Sequence, residues 1–541
     1  MLSKLRKSCS AMLSGLALLV AGTAGCGSPA AAQPASGAIA VNVHGRDSGA
    51  IIDRNIFGQF AEHLGTGIYG GVWVGEDSPI PNVRGIRTDV VQALRALHVP
   101  NVRWPGGCFA DEYHWRNGIG PRPQRSSTIN TNWGGVNESN HFGTHEFFDF
   151  VDQIGSDAYV SINVGSGSVH EASDWLEYMT ADGSSALGRE RIANGRREPF
   201  RVNLLGIGNE AWGCGGSMRP EFYVDQLKMY ARFVHNYNRA QQGDAAMRRI
   251  AVGADGSGDN AYTEAVMSAW KNKVWSWDIE GLSLHYYTIG GWPARYDSVN
   301  FGPREYAELV VQTRRLEGLV AANAAIMDRY DPARHVGLFV DEWGVWLAPL
   351  PRTNPGFLQQ QNSLRDAIIA ALDINIFARH ADRVRGANIA QMANVLQSMV
   401  MTDGPRMLLT PTYHIFRMYV PFQGAHLVPV TLDAGTFHVG DIELPRVDAL
   451  AARDSNGVLW LALTNLDPDR AAQLNVAIDG VSVRSGTGET LTAPRINAIN
   501  SFEAADAVRP QPMTAQGQGG RLNLSLPSKS VTVLRLTEAR N

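Results

Sequence analysis

The feature that most constrains this chain is a regular alternation of short apolar, β-branched runs with longer segments that have the apolar period of a helix. Such alternation predicts strand–helix units with parallel strands, because each helix returns the chain to the same end of the sheet. Eight runs are predicted strands, over residues 56–60, 101–104, 158–164, 202–207, 250–255, 281–287, 336–341 and 387–391. Eight such units predict an α/β fold, a (β/α)8 TIM barrel enlarged by insertions in its loops.

The pattern changes after about residue 420. Segments such as VLWLALTNL (458–466) and RLNLSLPSKSVTVLRL (521–536) alternate apolar and polar residues with period two. This period predicts an antiparallel β-sandwich. The run AIAVNVH (38–44) has the same period, and we expect it to join the sandwich as an extra strand. The sequence therefore predicts a linker and strand over residues 33–50, a catalytic barrel over 51–420 and a C-terminal β-sandwich domain over 421–541.

The first 32 residues have the composition of a secretory signal peptide. Lys4, Arg6 and Lys7 precede an apolar run that is too short to span a bilayer comfortably. Small residues precede Cys26, which leaves open both ordinary cleavage and a lipoprotein signal that attaches the chain to a membrane through a lipidated Cys26. Either outcome predicts an exported protein, whether periplasmic, secreted or an outer-membrane lipoprotein. The net charge of −4, with no cluster of Lys and Arg, argues against a nucleic-acid partner.

Polar residues directly after the predicted strands are the candidate site residues, because barrels of this kind carry their sites at the carboxyl ends of the strands. Asn209 and Glu210 follow the fourth strand, and Glu342 follows the seventh. Two carboxylates that face each other across a sugar-sized cleft can hydrolyse a glycosidic bond. Aromatic side chains, whose flat faces suit sugar rings, are frequent in the same loops: Trp73, Trp104, Tyr113, Trp115, Trp133, Trp212, Trp343 and Trp346.

Long motifs surround these residues. They include EHLGTGIYGGVWVGEDSPIPN (62–82), RWPGGCFADEYHWRNGIGP (103–121), GIGNEAWGCGGSMRPEFY (206–223), SLHYYT (283–288), DEWGVW (341–346) and NIAQMANVLQSM (388–399). The motifs resemble those of the α-L-arabinofuranosidases of glycoside hydrolase family 51, and with the blocks between them they cover most of residues 50–420. The resemblance implies a retaining, exo-acting enzyme that removes terminal α-L-arabinofuranosyl residues from arabinan, arabinoxylan or derived oligosaccharides.

The resemblance also implies roles for individual residues. Glu210 is expected to be the general acid/base and Glu342 the nucleophile. Substrate-binding positions are implied for Glu62, Cys108, Asn209, His285, Tyr287, Trp346 and Gln391. No cofactor and no metal are expected. Similar proteins are often hexamers, so a homo-oligomer is expected.

Two alternative functions and one disulfide pairing stay open at this point. The same carboxylate pair would serve another retaining glycosidase with this barrel, such as a β-xylosidase or an endoglucanase. A non-catalytic carbohydrate-binding lipoprotein is the alternative from another class, although such a protein has no need of both Glu210 and Glu342. Cys108 and Cys214 lie in glycine-rich loops, where a disulfide between them is compatible with the sequence but not required by it.

Overall fold

The computed structural model describes residues 37–274 and 277–538, so the predicted signal peptide lies outside the described residues. The strands are β1 (Ile39–Val43), β2 (Gly58–Phe60), β3 (Asn82–Val83), β4 (Ile86–Arg87), β5 (Asn101–Trp104), β6 (Thr128–Asn130), β7 (Val136–Glu138), β8 (Asp157–Ile162), β9 (Val202–Ile207), β10 (Arg248–Ala254), β11 (Gly281–Ile289), β12 (Gly337–Trp346), β13 (Val384–Ile389), β14 (Val400–Asp403), β15 (Arg406–Leu409), β16 (His426–Val428), β17 (Val430–Leu432), β18 (Thr436–Val439), β19 (Ile442–Pro445), β20 (Val447–Arg453), β21 (Leu459–Asn465), β22 (Ala472–Ile478), β23 (Val483–Leu491), β24 (Gln511–Gln518), β25 (Arg521–Leu526) and β26 (Ser530–Glu538). The α-helices are α1 (Thr88–Ala96), α2 (Thr144–Ile154), α3 (Val169–Thr180), α4 (Ala186–Ala193), α5 (Pro220–Phe233), α6 (Ala261–Lys271), α7 (Pro303–Tyr330), α8 (Leu364–Arg379) and α9 (Pro411–Tyr419).

Eight parallel strands close into a barrel in the order β10–β11–β12–β13–β2–β5–β8–β9. At least one helix follows each of these strands along the chain, which confirms the predicted (β/α)8 barrel. The seventh strand is longer than predicted. It continues past Asp341 to Trp346, because residues 342–346 pair in parallel with residues 285–289 of β11. Glu342 therefore lies within a strand and not in the loop after it.

Helix α2 shows how the sequence pattern produces this packing. Phe147, Phe150, Val151 and Ile154 recur at helical spacing and are buried between α2 and the barrel. Gly155 ends the helix with a φ of 74°, a left-handed conformation that glycine adopts without the steric penalty of a side chain. Inside the barrel a small apolar cluster fills the space below the site: Tyr159, Leu204, Ile250 and Phe339.

The C-terminal strands form a ten-stranded sheet in the order β16–β20–β21–β26–β23–β24–β25–β22–β1–β17. Buried and exposed residues alternate along strands such as β25, as the period-two pattern predicts. Strand β24 pairs with β23 along most of its length and with β25 at its end, and so connects the two halves of the sheet. The predicted antiparallel sandwich fold is confirmed with one difference, since β1 pairs in parallel with β22.

Barrel and sandwich contact each other through α7 and α8. The Tyr306 hydroxyl donates a hydrogen bond to the Leu466 carbonyl at 2.8 Å, and the Asn375 side-chain amide donates to Asp448 at 2.6 Å. These contacts involve the outer face of the barrel and leave the carboxyl ends of its strands free. In the described part of the chain, every helix is too short or too polar to cross a membrane.

Candidate active site

A cavity of about 640 Å³ opens at the carboxyl ends of the barrel strands. Its wall contains eight of the nine site residues predicted from the sequence: Glu62, Cys108, Glu210, His285, Tyr287, Glu342, Trp346 and Gln391. The fold thus brings together residues that are separated by up to 329 positions in the chain, as in the hydrogen bond between Gln391 and Glu62.

Asn209 is the exception among the predicted residues. It is 1% exposed, and its side-chain oxygen accepts a hydrogen bond from Nη2 of Arg103 at 2.6 Å. Its side-chain nitrogen lies 3.6 Å from the Cys214 sulfur. The structure places Asn209 beside the cavity and next to Glu210, so a direct sugar contact by Asn209 stays a prediction.

Glu342 is held by two hydrogen bonds at the floor of the cavity. Nη1 of Arg103 donates to one carboxylate oxygen at 2.7 Å, and the Tyr287 hydroxyl donates to the other at 2.8 Å. The Arg103 and Glu342 side chains are 2% and 7% exposed. A guanidinium and a hydroxyl that donate to the two oxygens of one carboxylate fix its orientation.

His285 connects the carboxylates. Its Nδ1 lies 2.9 Å from Glu210 and 3.6 Å from Glu342, and its Nε2 lies 3.2 Å from Asp341. Burial alone would lower the pKa of His285, but these three acidic groups, Glu342 foremost, raise it to about 10. His285 is therefore an imidazolium at neutral pH, with a carboxyl group beside each ring nitrogen.

Asp341 completes this arrangement from below. Burial alone would raise the pKa of its carboxyl, yet Arg103 and His285 hold that pKa below its usual range. The Tyr159 hydroxyl donates to Asp341 at 2.6 Å. Asp341 is thus an ionised buried group that fixes the ring of His285.

The pKa of Glu210 is raised. Burial is the largest cause, and the charge of Glu342 is the next. Its backbone has a left-handed φ of 39°, an uncommon conformation for a side chain of this size. The loop after it folds back tightly, and a Cβ at Gly215 would lie 1.9 Å from the Asn209 carbonyl oxygen, so only glycine fits there.

Glu62 and Gln391 form the buried end of the cavity. The Gln391 amide donates to Glu62 at 2.7 Å, and the Trp133 indole donates at 2.9 Å. Burial and the nearby Glu342 raise the pKa of Glu62 to about 7. A Cβ at Gly107 would lie 2.7 Å from a Glu62 carboxylate oxygen, which explains why the loop after β5 carries glycine at this position.

Cys108 and Cys214 form a disulfide with their Cα atoms 5.5 Å apart. This pairing, which the sequence left open, joins the loop after β5 to the loop after β9. The sulfurs of Cys108 and Cys214 lie 4.0 Å and 3.4 Å from the same carboxylate oxygen of Glu210. The disulfide is therefore part of the immediate surroundings of Glu210.

The predicted aromatic rim is only partly present. Trp133, Trp212 and Trp346 line the cavity. The remaining five are buried in the core, two of them (Trp104 and Trp343) within barrel strands: Trp73, Trp104, Tyr113, Trp115 and Trp343. Trp292, which the sequence analysis did not single out, lines the cavity at its outer end and is 68% exposed.

Sequence reasoning also missed Arg103, Asp111 and Tyr159. A signal existed for Arg103, because a charged residue inside the predicted strand NVRW must find a partner within the barrel. Asp111 accepts hydrogen bonds from the backbone N–H groups of Val164, Gly165 and Asn209, and burial raises its pKa to about 7. It fixes the loop that carries Asn209 and Glu210.

The spacing of the acidic pair indicates its chemistry. One oxygen of Glu210 and one oxygen of Glu342 lie within 4.8 Å of each other. Carboxyl groups about 5–5.5 Å apart are typical of retaining glycosidases, whereas inverting enzymes need about 6.5–9.5 Å for an intervening water. One ring nitrogen of His285 lies within the same 4.8 Å of both carboxylates, a spacing that would also suit the ligands of a cation. Both ring nitrogens, however, face carboxyl groups, as they would in a protonated ring.

Known proteins resemble this chain along most of its length. The model of the α-L-arabinofuranosidase 1 domain matches residues 93–293, and that of the α-L-arabinofuranosidase C-terminal domain matches residues 341–530. An intracellular exo-α-L-arabinofuranosidase of Bacteroides ovatus is 43% identical over 92% of this chain and 95% of its own length. The crystal structure of the GH51 arabinofuranosidase from Xanthomonas axonopodis pv. citri superposes with a TM-score of 0.89 at 49% identity, covering 92% of this chain and all (100%) of that one.

A third relative is an intracellular exo-α-(1→5)-L-arabinofuranosidase of Bifidobacterium longum, 28% identical over 88% of this chain and 88% of its own length. Together these relatives favour the exo-acting arabinofuranosidase over the β-xylosidase, the endoglucanase and the carbohydrate-binding lipoprotein.

The prediction of export is wrong by the same comparison, because relatives that match almost the whole chain are named intracellular enzymes. A basic segment followed by a short apolar run is a compositional signal and does not by itself establish processing. The lipid attachment through Cys26, which depended on export, lies outside the described residues. Motifs, barrel, carboxylate pair and relatives agree: the chain belongs to the α-L-arabinofuranosidases of glycoside hydrolase family 51.

Proposed function

We propose that Glu342 is the nucleophile and Glu210 the general acid/base in the retaining hydrolysis of terminal α-L-arabinofuranosyl residues. The observation that carries this assignment is the separation of their carboxylate oxygens, within 4.8 Å. The two environments support the division of roles, since donors surround Glu342 while burial and a neighbouring charge raise the pKa of Glu210.

In the first step, a Glu342 oxygen forms a bond to the anomeric carbon as the bond to the leaving oxygen breaks. The proton of Glu210 passes to that leaving oxygen. In the glycosyl-enzyme, Glu342 is an ester and carries no charge, so one cause of the raised pKa of Glu210 is removed. Glu210 then ionises and accepts a proton from the attacking water, and Glu342 leaves as a carboxylate.

The shape of the cavity supports exo action on a terminal sugar. Glu62 and Gln391, at the closed end, are 2% and 3% exposed, whereas Trp292, at the outer end, is 68% exposed. A furanosyl ring at the closed end has hydrogen-bonding groups around it, and the leaving group extends outward along Trp292. Leaving groups from arabinan, arabinoxylan or their oligosaccharides fit this arrangement. Two relatives are named intracellular enzymes, which supports oligosaccharides inside the cell as the substrates.

Release of p-nitrophenol from its α-L-arabinofuranoside tests the assignment, measured beside the β-D-xylopyranoside and the β-D-glucopyranoside. Strong preference for the arabinofuranoside is expected, and proton NMR should show the α-anomer of arabinose as the first product. The β-anomer as first product would contradict the retaining mechanism, and preference for another glycoside would contradict the substrate. The expected hexamer stays a prediction, which light scattering on the purified protein checks.

A further inference from the structure

The disulfide between Cys108 and Cys214 lies where a soft metal ion could be bound if the bond were reduced. The sulfur atoms of Cys108 and Cys214 and one carboxylate oxygen of Glu210 lie within 4.8 Å of one another. The Cα atoms of the two cysteines are 5.5 Å apart, a separation that also allows two thiolates to share one ion. Cys214 is exposed to solvent, so a small thiol can reach the bond.

We propose that reduction of this disulfide creates a binding site for a thiophilic divalent cation, with Cys108, Cys214 and Glu210 as ligands. A dithiol supplies the two electrons. Its thiolate attacks one sulfur of the disulfide, its second thiol resolves the mixed disulfide, and it leaves as its own disulfide while both cysteines become thiols. Metal binding then displaces the thiol protons.

The ligand set determines which ion is bound. Two thiolates and one carboxylate suit Zn²⁺ or Cd²⁺, whereas Mg²⁺ and Ca²⁺ prefer oxygen ligands alone. A disulfide sulfur carries no charge and is a poor metal ligand, so the oxidised protein lacks the site. The oxidation state of one bond therefore controls metal affinity.

A metal ion at this position blocks the reaction for two reasons. It takes the Glu210 oxygen that would otherwise carry the catalytic proton, and it occupies the wall of the cavity that Cys108 and Glu210 share. This inhibition rests on the proposed role of Glu210, whereas metal binding does not. Reduced enzyme is expected to lose activity on addition of Zn²⁺ and to regain it with a chelator.

Titration of the full-length protein with Cd²⁺ tests the site directly, because cadmium–thiolate bonds absorb in the near ultraviolet. Protein reduced with a trialkylphosphine should bind one Cd²⁺ per chain with that absorption, and the oxidised protein should bind about 100-fold more weakly and without it. Cys214→Ser in the same reducing buffer should lose the absorption. Glu210→Gln should keep it, since both thiolates remain, with weaker binding.

Equal Cd²⁺ binding by the oxidised and reduced proteins would overturn the proposal. So would an unchanged thiolate absorption in Cys214→Ser, or a near-ultraviolet circular dichroism spectrum that collapses on reduction, because the site needs both loops in place. Reduced protein that binds Cd²⁺ but keeps full activity with the metal bound would confirm the site and contradict the proposed role of Glu210.

Discussion

At the carboxyl end of the barrel, Arg103 and Glu342 pair almost completely out of solvent, whereas in the β-sandwich Arg453 and Glu538 pair with 29% and 43% of their side chains exposed. The sandwich buries an apolar cluster, and the Arg453–Glu538 pair lies at its surface. The barrel end buries charged side chains that hydrogen-bond to one another. Removing charges from water has a large free-energy cost, so the barrel end is organised for chemistry and the sandwich for stability.

The largest expected effect is on catalysis at the barrel end. Glu342→Ala removes the proposed nucleophile and should lower kcat/KM for an aryl α-L-arabinofuranoside on the order of 10⁴-fold or more. Glu443→Ala is the matched control, because Glu443 is exposed in the sandwich, and its kcat/KM should equal that of the wild type. A loss of less than tenfold (~1.4 kcal/mol) in Glu342→Ala would refute the nucleophile assignment.

An arginine removed from each region should affect stability very differently. Arg103→Met leaves Asp341 and Glu342 as buried charges without their cation, which should lower the free energy of unfolding by about 3–5 kcal/mol. Arg453→Met breaks a partly exposed pair and should cost about 1 kcal/mol or less. Urea denaturation of both variants measures the difference, and equal losses would contradict the contrast between the regions.

Truncation in the sandwich core should separate stability from activity. Leu461 is fully buried in the sandwich cluster, so Leu461→Ala should lower the free energy of unfolding by about 2–5 kcal/mol. Well below its melting temperature, the variant should retain the wild-type kcat/KM. A large loss of activity in fully folded protein would show that the sandwich influences the site.

A smaller effect is expected from one hydroxyl in the cavity. Tyr287→Phe removes the O–H that donates to Glu342 and keeps the ring against Trp346. A hydrogen bond to a charged group contributes about 1.5–3 kcal/mol, so kcat should fall about 10- to 150-fold with little change in melting temperature. An unchanged kcat would mean that Arg103 alone is enough to orient Glu342.

A further expected effect concerns pH and stability. Burial raises the pKa of Asp111 from 3.8 to about 7, so in that interval the folded chain binds a proton that the unfolded chain has lost. Stability from this group is therefore highest below about pH 4 and decreases as the pH rises to about 7. Asp111→Asn should show a smaller decrease in melting temperature over that interval than the wild type, and an equal decrease would contradict the raised pKa.

Much of this architecture follows from local pattern. The eight barrel strands could be predicted because apolar runs and helical periods are local properties of the sequence. The sandwich strands could be predicted for the same reason, since their alternation appears directly in the burial of residues such as Leu522 and Leu524. The position of Glu210 followed from the strand that precedes it, whereas Glu342 lies within β12, at the same end of the barrel.

What could not be predicted depends on contacts between distant segments. The Cys108–Cys214 bond joins residues 106 positions apart, and both belong to loops whose paths are set by glycines. Which aromatic side chains face the cavity depends on tertiary packing, so Trp104 and Trp343, both within barrel strands, are core residues although their motifs flank the site. The partner of Arg103 lies 239 residues away, and no local pattern in the sequence identifies it.

The central claim is that Glu342 attacks the sugar and Glu210 transfers the proton. Azide rescue of Glu342→Ala and Glu210→Ala, with NMR of the arabinosyl azide formed, tests both roles together. Glu342→Ala should give the β-azide, inverted because azide replaces the nucleophile, and Glu210→Ala should give the α-azide, retained because azide attacks the glycosyl-enzyme. The opposite pair of configurations, or no azide product from either folded variant, would contradict the assignment.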